Sequence, residues 1–178
     1  VGSFWIRLAF LSVALFLLGI WVYPVLFRGG RATPPREPLL HKPAIPFELE
    51  RLDQTGKITL KEFSGRILLL NFWASWCDAC HEEARELNRI QEGLGAEVVI
   101  LGVGIQDTRE NLEEFARRYN FRFPLARDPE GELAVSYGVT GIPETFLIDG
   151  TGVIRYRWRG PISFEMVHKE IEEALRGS

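Results

Sequence analysis

Cys77 and Cys80 are the only cysteines in a chain of 178 residues, and they stand three apart in Trp76-Cys77-Asp78-Ala79-Cys80. They fall where an apolar run ends and a helical pattern begins. A helix N-terminus carries partial positive charge and unpaired N–H groups. Both favour the thiolate, which is the reactive form of cysteine. Two thiols at this spacing can close into a disulfide and reopen, so the chemistry to expect is dithiol–disulfide exchange. Cys77, at the helix N-cap and partly exposed, would attack; Cys80, one turn in and more buried, would resolve the mixed disulfide. The charge of Asp78 should raise the Cys77 pKa against the helix dipole and favour a more reducing site.

Three other chemistries use such a pair. Zinc usually takes four ligands, and only His41, His81 and His168 remain to help, with His81 alone adjacent. With His81 the string reads C-x-x-C-H, the attachment pattern for c-type haem. A haem iron needs a further axial ligand, commonly Met or His; Met166, the only methionine, falls in a predicted helix near the end of the chain. The haem reading also leaves the buried strand before Cys77 unexplained. A permanent bridge closing so short a loop removes little unfolded-state entropy. Exchange is the leading reading, with no metal and no cofactor beyond the disulfide itself.

The elements that must position the pair are legible as patterns. Phe47 to Leu52 and Lys57 to Leu60 flank the turn residues Asp53-Gln54-Thr55-Gly56 and predict a hairpin. Ile67 to Trp73 (ILLLNFW) reads as a central strand buried on both faces. A helix follows, with Ala84, Leu87, Ile90 and Leu94 on one face and Gly93 and Gly95 at its end. Glu97 to Ile105 predicts a second buried strand, and Asp107 to Tyr119 a second helix with Asp107 and Glu110 as its capping box. Thr145 to Asp149 and Val153 to Trp158 read as strands around Gly150-Thr151-Gly152, and Ser163 caps a last amphipathic helix. This order implies a mixed sheet covered on both faces.

The front of the chain differs. Leu8 to Phe27 are twenty residues without a formal charge, the length that crosses a hydrocarbon core. Trp5, Trp21 and Tyr23 sit where interfacial aromatics belong. A signal-peptide cleavage site wants small residues, whereas Trp21 to Phe27 is bulky, so residues 1–27 are expected to be an uncleaved membrane anchor. Residues 28–44, rich in Gly, Pro and Arg, read as an extended linker, and 45–178 as the globular domain. Arg28, Arg31 and Arg36 after the span outnumber Arg7 before it, but large domains translocate despite flanking charge. Because disulfides persist on the oxidising side, the domain is expected outside the cytoplasmic membrane. The formal charge of −3 gives no electrostatic case for nucleic acid.

Trp76-Cys77-Asp78-Ala79-Cys80 after an apolar strand resembles the active site of the thioredoxin superfamily, and Gly141-Ile142-Pro143-Glu144-Thr145-Phe146-Leu147-Ile148-Asp149 resembles the segment carrying that superfamily's cis-proline. The string Leu70 to Cys77, Glu83 and Pro143-Glu144-Thr145-Phe146 are most similar to the membrane-anchored reductases of the TlpA/ResA/CcmG group. The resemblance spans roughly residues 44–176 and implies an α/β thioredoxin fold, a central mixed sheet flanked by helices with an N-terminal hairpin, preceded by one transmembrane helix. It implies that Pro143 is cis and faces the cysteines, and that the Ile142 backbone pairs with a substrate strand. General thioredoxins carry a buried Asp where this chain has Asn71; in the TlpA-like group a Glu at the position of Glu83 is the matching acid. Cys80 and Glu83 are i and i+3, on one helix face, and a partly buried carboxyl could exchange a proton with Cys80 near neutral pH.

The same resemblance implies that Trp76 is exposed and, with Glu144, shapes the substrate groove, while Trp73 reads more simply as core. Where the group carries Lys or Arg, this chain has His81 and Glu82, making the site more acidic. The implied function is reduction of protein disulfides outside the cytoplasm, with apocytochrome c as leading substrate and a membrane electron donor of the DsbD/CcdA type. The alternatives are a general reductase or isomerase of envelope disulfides, and a module that binds apocytochrome without turnover.

Overall fold

Alternation with a period of two builds the strands of this protein, and a period of about 3.6 its helices. In the computed structural model, which describes residues 38–96 and 98–176, the elements run in the order β1 (Glu48–Arg51), β2 (Lys57–Thr59), β3 (Ile67–Trp73), α1 (Asp78–Gly93), β4 (Val98–Ile105), α2 (Arg109–Tyr119), β5 (Leu125–Asp128), α3 (Glu132–Ser136), β6 (Glu144–Ile148), β7 (Ile154–Arg159) and α4 (Phe164–Arg176). The expected membrane anchor lies outside the described residues, and among the described residues no helix is long and apolar enough to cross a membrane.

The strands form one mixed sheet in the order β2-β1-β5-β4-β3-β6-β7. β3 pairs in parallel with β4 and antiparallel with β6, and β4 pairs in parallel with β5. β3 is central and every one of its residues is buried. Its pleat sends Leu69 and Trp73 to one face, beneath Ala84, Leu87 and Ile90 of α1, Leu112 and Phe115 of α2, and Val167 and Ile171 of α4. Leu68, Leu70 and Phe72 go to the other face, against Leu133, Ala134, Tyr137 and Phe146. Asn71 falls between Leu69 and Trp73, so the same alternation aims its amide at α1. Glycine in β4 lets α2 approach closely: a Cβ at Gly104 would stand 2.5 Å from Leu112 Cδ2.

Three details differ from the sequence expectation. Asp107 does not cap α2. Thr108 does, accepting from Asn111 N–H at 3.2 Å, while Asp107 turns back to the loop before Cys77. β5 and α3 carried no pattern long enough to read: β5 has four residues held by sheet partners on both sides, and α3 has five. The N-terminus of α3 is set from a distance by buried Asp128, which accepts Ala134 N–H at 3.0 Å. Residues 38–44, the end of the expected linker, lie along the start of β7. His41 N–H donates to Ile154 O at 2.8 Å and Ala44 N–H to Gly152 O at 2.8 Å, because Leu39, Leu40 and Ala44 have apolar surface to bury against the second core face.

Candidate active site

β3 ends at Trp73, the chain turns through Ala74, Ser75 and Trp76, and α1 starts at Asp78 with Cys77 as its N-cap. Cys77 has extended backbone geometry, φ −92° and ψ 109°, and its sulfur accepts the N–H of Cys80 at 3.1 Å. Cys77 and Cys80 are joined as a disulfide. The capping sulfur therefore sits on the N–H groups and dipole that would stabilise a thiolate after reduction. Cys77 is less open than a surface nucleophile, at 6% exposure against 2% for Cys80. The loop ending at Pro143 narrows its window: the Ile142 carbonyl oxygen lies 3.6 Å from Cys77 Sγ. The Ile142–Pro143 bond is cis. Among the described residues no group of three or more His, Cys, Asp or Glu side chains could hold a metal ion.

Trp76 stands beside the sulfur and is 57% exposed, its indole N–H donating to Gln106 O at 3.2 Å. Trp73 is core, packed on Phe115 and Phe121. Asp78 is exposed on the first turn of α1. A groove of about 500 Å³ runs from Trp76, Cys77 and Ile142 toward α3, with Ile105, Ala134, Val135 and Val139 supplying apolar walls. Val135 is 76% exposed. The α3 side of this groove was not foreseen, because nothing in a five-residue helix distinguishes it from a turn.

Glu83 lies under the pair, on the buried face of α1. One carboxylate oxygen accepts Asn71 Nδ2–H at 3.0 Å and the other accepts Ile162 N–H at 3.0 Å. Burial pushes its pKa up to about 7; the two hydrogen bonds work in the other direction and moderate the rise. Asn71 donates a second bond to Thr145 Oγ1 at 2.9 Å. Thr145 and Ile162, missed from sequence, complete this polar cluster. A buried carboxyl that exchanges its proton near neutral pH, one helical turn from Cys80, is suited to proton transfer.

Glu144 lines a small recess with Ile142, Pro143 and Arg159. It is 1% exposed. Its carboxylate pairs with Arg157, which also donates to Gly138 O at 2.6 Å, and accepts Thr140 N–H at 3.3 Å. The residue pairs with Phe72 in the sheet, so its charge braces the 138–143 loop from inside. Asp107, by contrast, acts across the site. It accepts Ser75 N–H at 2.8 Å and Thr108 N–H at 2.8 Å. Partial burial pushes its pKa up, but hydrogen bonds from Ser75, Asn111 and Thr108 outweigh this and hold it below the usual value.

Known proteins share this arrangement. The AhpC/TSA family profile matches residues 40–157. The thiol:disulfide interchange protein DsbE of Allochromatium vinosum is 36% identical over 165 residues, covering 89% of this chain and 90% of the relative. DsbE of Escherichia coli K12 is 33% identical over 166 residues, covering 92% and 87%. Among solved structures, a candidate DsbE from Chlorobium tepidum superposes with a TM-score of 0.68 at 28% identity, over 75% of this chain and 95% of that one.

Proposed function

The chain belongs to the AhpC/TSA family and is a thiol:disulfide oxidoreductase of thioredoxin-like fold acting on disulfide-bearing proteins, and from that premise we propose that it reduces the CxxCH disulfide of apocytochrome c. In this reading Leu8 to Phe27 anchor the chain in the cytoplasmic membrane with the catalytic domain outside. The observation that carries the exchange chemistry is the pairing of a helix-capping Cys77 with the buried carboxyl of Glu83 one helical turn from Cys80.

The cycle starts from the dithiol. The Cys77 thiolate attacks one sulfur of the substrate disulfide; a Cys77–substrate S–S bond forms and the substrate's other sulfur leaves as a thiolate that takes up a proton. Glu83, about half ionised near neutral pH, takes the Cys80 proton. The Cys80 thiolate then attacks Cys77 Sγ, the Cys77–Cys80 bond closes, and the second substrate thiolate departs. Two electrons have passed to the substrate, and a dithiol donor in the membrane, of the DsbD/CcdA type, must return them. The Ile142 backbone and cis-Pro143 hold the substrate strand beside the sulfur, and Trp76 covers it.

A second reading, reduction or isomerisation of many envelope disulfides, draws support from the apolar walls that Ile105, Ala134, Val135 and Val139 give the groove. Replacing Cys80 by Ala in cells traps the mixed disulfide on Cys77. Capture of one c-type cytochrome precursor is the expected result. A wide mixture of envelope proteins would favour the second reading and sink the first.

A further inference from the structure

Ser75 is gripped at both of its backbone groups by side chains from outside its own loop. Its N–H donates to Asp107 Oδ2 at 2.8 Å, and its carbonyl oxygen lies 2.9 Å from His81 Nε2. A carbonyl only accepts, so Nε2 carries a proton. Nδ1 lies 2.8 Å from the Tyr119 hydroxyl. A hydroxyl both donates and accepts, so that contact holds whether the imidazole is neutral or charged. The ring is also wedged against Phe115 and Tyr119, with centroids at 4.7 and 5.6 Å. Asn111, Glu114 and Arg118 of α2 border the recess it occupies.

We propose that His81 is a positioning residue for thiol–disulfide exchange: together with Asp107 it clamps Ser75 and so fixes the turn that presents the Cys77 sulfur at the head of α1. Ahead of the helix, the turn's own closing bond, Cys77 N–H to Ala74 O, is long at 3.4 Å, and the Trp76 indole reaches Gln106 O at 3.2 Å; Cys77 O accepts the N–H groups of Cys80 at 3.0 Å and His81 at 3.3 Å, which tie Cys77 to α1 but leave Ser75 to the clamp. Freed from the clamp, Ser75 and the cap after it can rotate, and the sulfur drifts from the Cys80 N–H that stabilises its thiolate. His81 thereby ties the nucleophile to α2, an element that contributes nothing to the groove. The proposal rests on Cys77 being the attacking sulfur.

The test uses the reduced full-length protein with His81→Phe and His81→Gln. Phenylalanine keeps the ring packing and loses both hydrogen bonds; glutamine keeps an N–H that reaches the Ser75 carbonyl but carries no charge. Iodoacetamide labelling across pH, mapped by mass spectrometry, reads the Cys77 titration, and oxidised glutathione reads the exchange rate. His81→Phe should raise the Cys77 midpoint and slow exchange by about tenfold, the scale of a lost hydrogen bond. His81→Gln should recover most of both. Wild-type midpoint and rate in His81→Phe overturn the proposal. So does a His81→Gln protein as slow as His81→Phe, which shows that an N–H directed at the Ser75 carbonyl is not what sustains exchange. Label landing first on Cys80 overturns the nucleophile assignment, and this proposal with it.

Discussion

Asn71 and Glu83 meet 3.0 Å apart beneath the active-site disulfide, the amide of a central strand donating to the carboxyl of the first helix. Both residues are buried. With Ile162 N–H on its other oxygen, Glu83 faces two donors, which suits a carboxylate, while burial favours the neutral acid. These opposed demands leave the group with a pKa of about 7. A general thioredoxin-like Asp at position 71 would put a second acid here; an amide gives Glu83 a partner without a competing charge.

Stability should report this directly. The folded pKa of about 7 exceeds the ordinary 4.5, so between those values the folded state binds more protons than the unfolded one. The contribution of Glu83 is then fully present below the unfolded pKa and is lost as pH rises through 7. The gap corresponds to on the order of 3 kcal/mol. Urea unfolding of the oxidised protein should show a falling midpoint between about pH 5 and about pH 8, and Glu83→Gln should flatten that slope. An equal slope in both proteins would remove Glu83 as the titrating group.

Glu83→Gln should also slow the second half of the cycle. Without a base near Cys80, mixed disulfides should persist longer while the first attack by Cys77 keeps its rate. Rapid acid quench followed by mass spectrometry separates the two steps. A loss of about a hundredfold in the resolving step is the scale of general base catalysis.

Asn71→Asp should place two acids within hydrogen-bonding distance. Two buried carboxyls in one site cannot both ionise, so one pKa must rise further. The pH at which resolution by Cys80 reaches half its maximum should move upward. Carbon-13 titration of the carboxyl resonances checks the same shift independently.

Glu144→Gln should cost about 3 kcal/mol or more, because it removes the buried carboxylate charge that Arg157 pairs with. The tie to Thr140 N–H weakens at the same time, so reduction of a peptide disulfide should suffer more than reduction of oxidised glutathione, which needs less of the 138–143 loop. Equal losses on both substrates would show that the loop does not depend on this charge.

Trp76→Ala should behave in the opposite way. The ring is 57% exposed, so thermal stability should change little. A tryptophan that serves as a binding hot spot costs about 2 kcal/mol of affinity when truncated, and KM for a disulfide peptide should rise accordingly with kcat nearly unaltered.

The chemistry, the central strand and the helix carrying the cysteines were legible because each is local. ILLLNFW is continuous apolar sequence, α1 shows its buried face at helical spacing, and Cys77 to Cys80 span one turn. The hairpin, β4, β6, β7 and α4 followed from the same two periods. Only the tertiary structure decided how Glu144 is used, since its partner Arg157 comes from another strand. It alone moved Asp107 from a helix cap to Ser75 and placed α3 beside Cys77. It also set the pKa of Glu83, because burial depends on β3 and on the loop between β7 and α4 folded over it rather than on its neighbours in sequence. Reactive atoms can be named from their order along the chain; the field and the contacts that tune them arise from residues brought together by packing.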